Sequence, residues 1–92
     1  MARKFGQFGI RSIQRGTISV AAGASSNTAT VTSVNTAKSE LKFLGQSPDA
    51  ATAMYGKELL RIELTNATTV TATRGGSPSR GNVVSYELVE YY

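Results

Sequence analysis

Apolar and polar residues alternate with a period of two along most of this 92-residue chain. In residues 69–74, Val70 and Ala72 alternate with three threonines, and residues 27–34 follow the same pattern. A β-strand produces this period because successive side chains point to opposite faces, whereas an α-helix repeats about every 3.6 residues. The alternation recurs in residues 10–20, 38–44, 58–65 and 82–91. The sequence therefore predicts six short strands and an all-β fold.

The connections between the predicted strands are short, which favours antiparallel pairing. Turn-forming residues occupy residues 21–26, 35–37, 66–68 and 75–81. Parallel strands need long crossovers, and the one predicted helical turn lies within residues 45–57. We therefore expect an antiparallel β-sandwich of about six strands. It forms one domain over residues 10–92, preceded by a short N-terminal arm at residues 1–9.

Three residues inside the predicted strands carry specific expectations about packing. Gly16 interrupts the alternation of the first strand, which indicates a β-bulge or a close approach of another group to the backbone. Phe43 and Tyr86 occupy positions that the alternation assigns to the core. We therefore expect both aromatic rings to be buried.

The chain contains no cysteine and no histidine. Their absence excludes disulfides, thiol or imidazole catalysis, and the zinc sites that such ligands form. The chain has six acidic residues, and no pair of them has an evident catalytic setting. We therefore expect a binding or structural protein without a cofactor or a metal, and not an enzyme.

Basic residues are concentrated in the first part of the chain. The net charge is +4, and residues 1–39 carry five basic residues and no acid. The arm combines Arg3 and Lys4 with Phe5 and Phe8, which predicts docking on a neighbouring subunit through charge and aromatic anchors. A frayed terminus and phosphate contacts with nucleic acid are the alternatives. We do not expect nucleic-acid binding, because the chain has few aromatic residues and no dense basic run.

Further candidate contact residues lie at the end of the chain and in two loops. Tyr91 and Tyr92 predict a subunit or partner contact, because tyrosine is enriched at interfaces. Tyr55, Arg74 and Arg80 lie in or beside predicted loops, where they would meet a glycan or a surface protein. The alternatives are a loop that covers the core and a plain hairpin connection.

Several segments of the chain resemble small bacteriophage virion proteins. They include SIQRGTISV at residues 12–20, residues 27–45, LLRIELTNATTVTATR at residues 59–74, and VSYELVEY at residues 84–91. The resemblance implies a head decoration subunit or a tail or fibre subunit, located in the virion and made in the host cytoplasm. The strand pattern is also similar to the H-type lectin sandwich, which assembles as a trimer or hexamer. The chain lacks the His and Trp side chains that such lectins can use for sugar, so this similarity concerns architecture.

These observations lead to one main expectation and one alternative. A chain of this size has a thin core, which favours burial of surface against other subunits. We expect a structural virion subunit that forms a homo-oligomer, with a trimer favoured, and docks on a larger virion protein such as a major capsid or tail protein. We expect no membrane contact, because no apolar run reaches the length of a membrane span. The alternative is a receptor- or glycan-binding module of a phage tail fibre.

Overall fold

A computed structural model describes residues 9–48, 59–76 and 80–92 of the protein. In these ranges the chain forms the strands β1 (Ile10–Val20), β2 (Ser26–Thr30), β3 (Ser39–Pro48), β4 (Leu60–Asn66), β5 (Thr69–Arg74) and β6 (Asn82–Tyr91). A single turn of 3-10 helix, Thr36–Lys38, precedes β3 and is capped by the side chain of Asn35. The described ranges contain no α-helix, so the predicted all-β class is confirmed.

The strands form two antiparallel sheets of three strands each. The first sheet has the order β1-β6-β3, and the second sheet has the order β2-β5-β4. Among the strands of the described ranges, only β4 and β5 are neighbours both in sequence and within one sheet. The other consecutive strands belong to different sheets. The chain therefore builds both sheets together.

Both sheets contribute to one apolar core. On β1, Ile18 and Val20 are buried whereas Thr17 and Ser19 are exposed, as the alternation predicts. A fully buried aliphatic side chain of this size stabilises the fold by about 1.5–3 kcal/mol relative to an exposed one. The buried residues of the core cluster are Ile18, Val20, Val31, Val34, Leu60, Val70, Ala72, Val84, Tyr86 and Leu88.

Side-chain amides link the first sheet to the chain segments of the second. The linked pairs are Gln14 with Thr32, Asn27 with Ser19, and Gln46 with Leu60. Gln14 donates to the carbonyl of Thr32 at 3.0 Å and accepts from its N–H at 2.8 Å. The side chain of Gln14 thus takes the place of a neighbouring strand and forms hydrogen bonds with both backbone groups of Thr32.

Two predicted strand ends lie several residues from the observed ones, and β4 begins at Leu60 rather than at residue 58. β2 ends at Thr30, because the N–H groups of Val31 and Val34 donate to carbonyls of the β4–β5 turn and leave the regular ladder. β3 continues to Pro48, because its pairing with β6 extends to that residue. The predicted helical turn begins within this extension, and its remaining residues lie outside the described ranges, as do residues 1–8 of the arm.

The predicted burial of Phe43 is also wrong. The register between β3 and β6 shifts between Phe43 and Gly45, where Gly45 has a φ of 135° that favours glycine. Phe43 is 52% exposed on this irregular edge strand, whereas Tyr86, its partner in the register, is buried. Phe43 shares the face of Leu41 and Tyr86 in the register, but β3 is an edge strand, so position on the core-facing side does not by itself bury the ring.

Gly16 allows the ring of Tyr86 to approach the backbone of β1 closely, which is one of the two reasons that the sequence offers for a glycine at this position. It pairs with Tyr86 across the strands, and a Cβ atom at position 16 would lie 2.6 Å from the hydroxyl oxygen of Tyr86 and 2.9 Å from its Cζ atom. The Tyr86 ring therefore occupies the space that any larger residue at position 16 would need. The bulge in β1 lies elsewhere, between Ile10 and Ser12.

We expect Gly16→Ala to lower the free energy of unfolding by about 1–3 kcal/mol, because the buried Tyr86 ring must shift. Gly75→Ala is the matched control, because a Cβ there meets nothing within 4 Å. We expect that variant to differ from the original protein by less than about 0.5 kcal/mol. Urea unfolding followed by circular dichroism measures both. Equal stability of the two variants would contradict the packing of Tyr86 on Gly16.

Candidate interaction surface

The first and last described segments meet at one end of the first sheet. The N–H of Tyr92 donates to the carbonyl of Gly9 at 3.0 Å, and Ile10 pairs with Tyr91. Residues 1–8 are joined covalently to Gly9. They therefore connect to the fold beside the two final tyrosines.

Tyr91 is oriented by an acidic side chain on the neighbouring edge strand. Its hydroxyl donates to a carboxylate oxygen of Glu40 at 3.1 Å. This hydrogen bond is the main cause that raises the pKa of Tyr91 above its ordinary value of 10.0, with smaller contributions from burial and from the Glu40 charge. The phenol therefore keeps its proton and its orientation throughout the physiological pH range.

Large apolar side chains are exposed at the same end of the sheet. Ile10 is 52% exposed, Ile13 is 43% exposed and Tyr92 is 58% exposed. Ile13 pairs with Val89, two residues before Tyr91 on β6. We call the exposed residues at this end, Ile10, Ile13, Tyr91 and Tyr92, the terminal patch. Ile10, Ile13 and Tyr91 share one face of the sheet, and Tyr92 lies at its end, opposite Gly9. An exposed group of large apolar and aromatic side chains is typical of a protein interaction site.

Charged residues on the same sheet border the terminal patch. Glu87 lies on the central strand and accepts from Arg15 Nε at 2.9 Å, and its other carboxylate oxygen lies 3.9 Å from Lys42 Nζ. Both basic side chains are largely solvent-exposed, so each pair contributes only about 0–1 kcal/mol. Arg15 and Lys42 therefore share one acidic partner on the central strand.

A second acid secures the turn that precedes β3. Glu90 is buried, and its carboxylate accepts from the N–H of Asn35 at 2.9 Å. Its other oxygen lies 3.4 Å from Ser12 Oγ and 3.9 Å from Arg11 Nε. Glu90 thus has partners on β1 and at Asn35, and it holds the end of β6 that carries Tyr91.

Arg74 is buried and forms hydrogen bonds within the protein. Its side chain points into the protein, the residue is only 3% exposed, and its guanidinium donates to the carbonyls of Ala21, Ala24 and Arg80 at 2.8–2.9 Å. These carbonyls belong to the β1–β2 and β5–β6 connections. Arg74 therefore holds two loops together and does not face solvent, where a ligand would meet it.

The structure separates the candidate residues that the sequence singles out. Tyr91 ends β6 and Tyr92 follows it, whereas Arg74 and Arg80 lie before the other end of that strand. The remaining candidates lie outside the described residues, and they are Arg3, Lys4, Phe5, Phe8 and Tyr55. The two groups of described candidates therefore do not form one site.

The apolar part of the terminal patch does not follow from the sequence pattern. Ile10 and Ile13 are three residues apart, which would place them on opposite faces of a regular strand. The bulge in β1 instead pairs them with Tyr91 and Val89, two residues apart on β6 and therefore on one face. The three-residue spacing of Ile10 and Ile13 was the feature of the sequence that could have indicated this bulge. The bulge itself is seen only in the register with β6.

Comparisons with protein-family models, curated proteins and solved structures give no match. The resemblance to phage virion proteins and to H-type lectins therefore remains an expectation from the sequence. Among the described residues, no group of acidic side chains has an arrangement that could hold a metal ion. No helix in this part of the chain is long and apolar enough to cross a membrane.

We expect Arg74→Met to lower the free energy of unfolding by about 2–4 kcal/mol, because it leaves three carbonyls without their charged donor. Arg15→Met is the matched control, because Arg15 is exposed and has a single acidic partner. Its loss should cost less than about 1 kcal/mol. Urea denaturation of both variants measures the difference. Similar losses in the two variants would argue against a structural role specific to Arg74.

Ionisation of Tyr91 should be linked to stability at alkaline pH. Because its folded-state pKa is raised, the contribution to stability is complete below about pH 10 and is lost as pH rises through the folded-state value. We expect Glu40→Gln to lower the pKa of Tyr91 towards 10.0, because the charged acceptor is removed. An NMR titration of ¹³C-labelled tyrosine measures it, with Glu63→Gln as the control on the other sheet. An unchanged Tyr91 titration in Glu40→Gln would refute the assignment.

Proposed function

We propose that this protein is a structural subunit of a bacteriophage virion. It assembles as a homo-oligomer, with a trimer favoured, and docks on a larger virion protein such as a major capsid or tail protein. Its two three-stranded sheets pack as a six-stranded β-sandwich, and residues 1–9 act as a docking arm. The resemblance of residues 12–20, 27–45, 59–74 and 84–91 to phage virion proteins supports this proposal, and the all-β fold is compatible with it.

The observation that carries the proposal is the position of Gly9 beside the terminal patch. The hydrogen bond from Tyr92 to Gly9 places the last residue of the arm beside the exposed apolar residues. Eight residues span at most about 29 Å when fully extended. Phe5 and Phe8 are therefore within reach of any partner that covers the patch, and the two sets of anchors can act on one docking surface.

The surroundings of the patch suit a contact that is repeated many times in a particle. Tyr91 donates a hydrogen bond to Glu40, so part of its side-chain freedom is already lost before a partner binds. The ion pairs of Glu87 provide a polar border around the apolar centre. In a particle with many copies, modest contacts of this kind add through avidity.

The proposal gives no recognition role to Arg74. A receptor- or glycan-binding module would need loop side chains that face solvent, and the guanidinium of Arg74 is buried against three carbonyls. Tyr55, the other loop candidate, lies outside the described residues, and no described contact favours the alternative function.

The proposal predicts self-association and attachment to particles. Light scattering after size-exclusion chromatography should give about 29 kDa for a trimer of the 9.7 kDa chain. Deletion of residues 1–8 and Tyr92→Ser should each reduce co-sedimentation with phage particles that lack this subunit, while the circular dichroism spectrum stays unchanged. Phe43→Ser is the matched control, because Phe43 is similarly exposed but lies outside the patch.

Two results would contradict this function. One is that the chain is absent, by quantitative mass spectrometry, from purified particles of the virus that encodes it. The other is a 9.7 kDa monomer that does not attach to particles at any concentration. Equal binding by the Tyr92→Ser and Phe43→Ser variants would remove the terminal patch from the docking contact.

A further inference from the structure

β4 is an edge strand of the second sheet, and the hydrogen bonds of Leu60 define which of its backbone groups face outward. The N–H of Leu60 donates at 2.8 Å to the side chain of Gln46, not to β5. The N–H of its register partner, Arg74, donates at 2.9 Å to Ser25 on the other side of β5. Leu60 and Arg74 are therefore a non-hydrogen-bonded pair of the antiparallel ladder.

The alternation of the ladder extends this result along β4. Hydrogen-bonded and non-hydrogen-bonded pairs alternate, so Ile62 with Ala72 and Leu64 with Val70 are also non-hydrogen-bonded pairs. The N–H and C=O groups of Ile62 and Leu64 consequently point away from β5. No hydrogen bond beyond the ladder reaches these groups in the part of the chain that the structure describes. The edge is ready to pair with another strand.

The outward side chains of β4 carry opposite charges. Arg61 and Glu63 are exposed on the outer face of the sheet. Within the described ranges neither side chain makes a hydrogen bond or an ion pair. Leu60 and Leu64 lie two residues before and after Ile62, and Arg61 and Glu63 lie one residue before and after it. The apolar residues are thus symmetric about Ile62, and the two charges on either side of it are opposite. Such a strand is complementary to its own antiparallel copy.

The other edge strands carry features that discourage pairing. β4 lacks them between Leu60 and Leu64, and its own register shift lies beyond that run, between Leu64 and Asn66. β3 contains a bulge at Gly45 and ends at Pro48. β1 contains a bulge after Ile10 and a glycine at position 16, and β2 is only 5 residues long. Between Leu60 and Leu64, β4 keeps a regular register without glycine, proline or lysine. Regular edges without such protection are the ones that pair with another chain.

We propose that β4 pairs antiparallel with β4 of a second copy of this chain, about a twofold axis at Ile62. This pairing places Arg61 opposite the partner's Glu63, and Glu63 opposite the partner's Arg61. Ile62 exchanges backbone hydrogen bonds with the partner's Ile62, and the N–H of Leu64 donates to the carbonyl of the partner's Leu60. The N–H of Leu60 stays with Gln46. Two three-stranded sheets become one six-stranded sheet.

This contact rests on the self-association in the proposed function, but not on virion membership or on the terminal patch. It is isologous, because the same strand contributes to both sides of the twofold axis. A twofold contact at β4 is compatible with a separate threefold contact. With the twofold axis perpendicular to the threefold axis, the two together close a hexamer of about 58 kDa, six times the 9.7 kDa chain, in place of the trimer of about 29 kDa.

The charge pattern permits a swap experiment on the full chain. Arg61→Glu and Glu63→Arg each place like charges opposite one another, and sedimentation velocity should show association at least about tenfold weaker. The double variant Arg61→Glu/Glu63→Arg restores opposite charges and should associate like the original chain. An equimolar mixture of the two single variants should also associate, because each supplies the charges that the other lacks. Circular dichroism should be unchanged, since both side chains are exposed.

Each other outcome has a distinct meaning. An original chain that stays monomeric at all concentrations overturns both this pairing and the proposed self-assembly. An oligomer that neither single variant weakens overturns the β4 pairing alone, and leaves assembly through the terminal patch standing. Weakening that neither the double swap nor the mixture reverses also overturns the pairing, because the loss would then not arise from charges opposed across the axis.

Discussion

Each three-stranded sheet has one apolar face, and the structure depends on burying these two faces in a shared core. Removal of these apolar faces from water is the main favourable contribution to the stability of such a fold. Val84 and Leu88 from the central strand of the first sheet are fully buried, as are Val70 and Ala72 from the central strand of the second. The chain passes between the sheets at most connections, so neither sheet is complete without the other.

The shared core creates a second requirement, because loops and sheet edges bring polar backbone groups close to apolar surface. Gln14, Gln46 and Arg74 meet that requirement with side-chain hydrogen bonds to backbone N–H or carbonyl groups. Their long polar side chains reach places that no neighbouring strand fills. Within the described residues, every buried side-chain nitrogen and oxygen has a hydrogen-bond partner. The polar groups in and around the core are thus used for structure and leave function to the surface.

Two surfaces have properties that intramolecular packing does not account for. The terminal patch exposes apolar side chains beside the point where residues 1–8 join the fold, and the β4 edge exposes backbone groups beside unpaired opposite charges. They belong to different sheets, so one subunit can use both at once. This arrangement is consistent with a protein that acts by assembling with copies of itself and with a larger structure.

The period-two alternation alone is sufficient for the all-β class, for the bounds of β1, β5 and β6, and for most buried faces, because it is a local property of the strand. Strand partners, bulges and the ends of β2 and β3 depend on hydrogen bonds between residues distant in sequence. For that reason Phe43 is exposed, Ile10 and Ile13 share a face, and Arg74 is buried against two loops. The terminal patch and the β4 edge likewise exist only once the register is set, because register determines which groups are left without a partner.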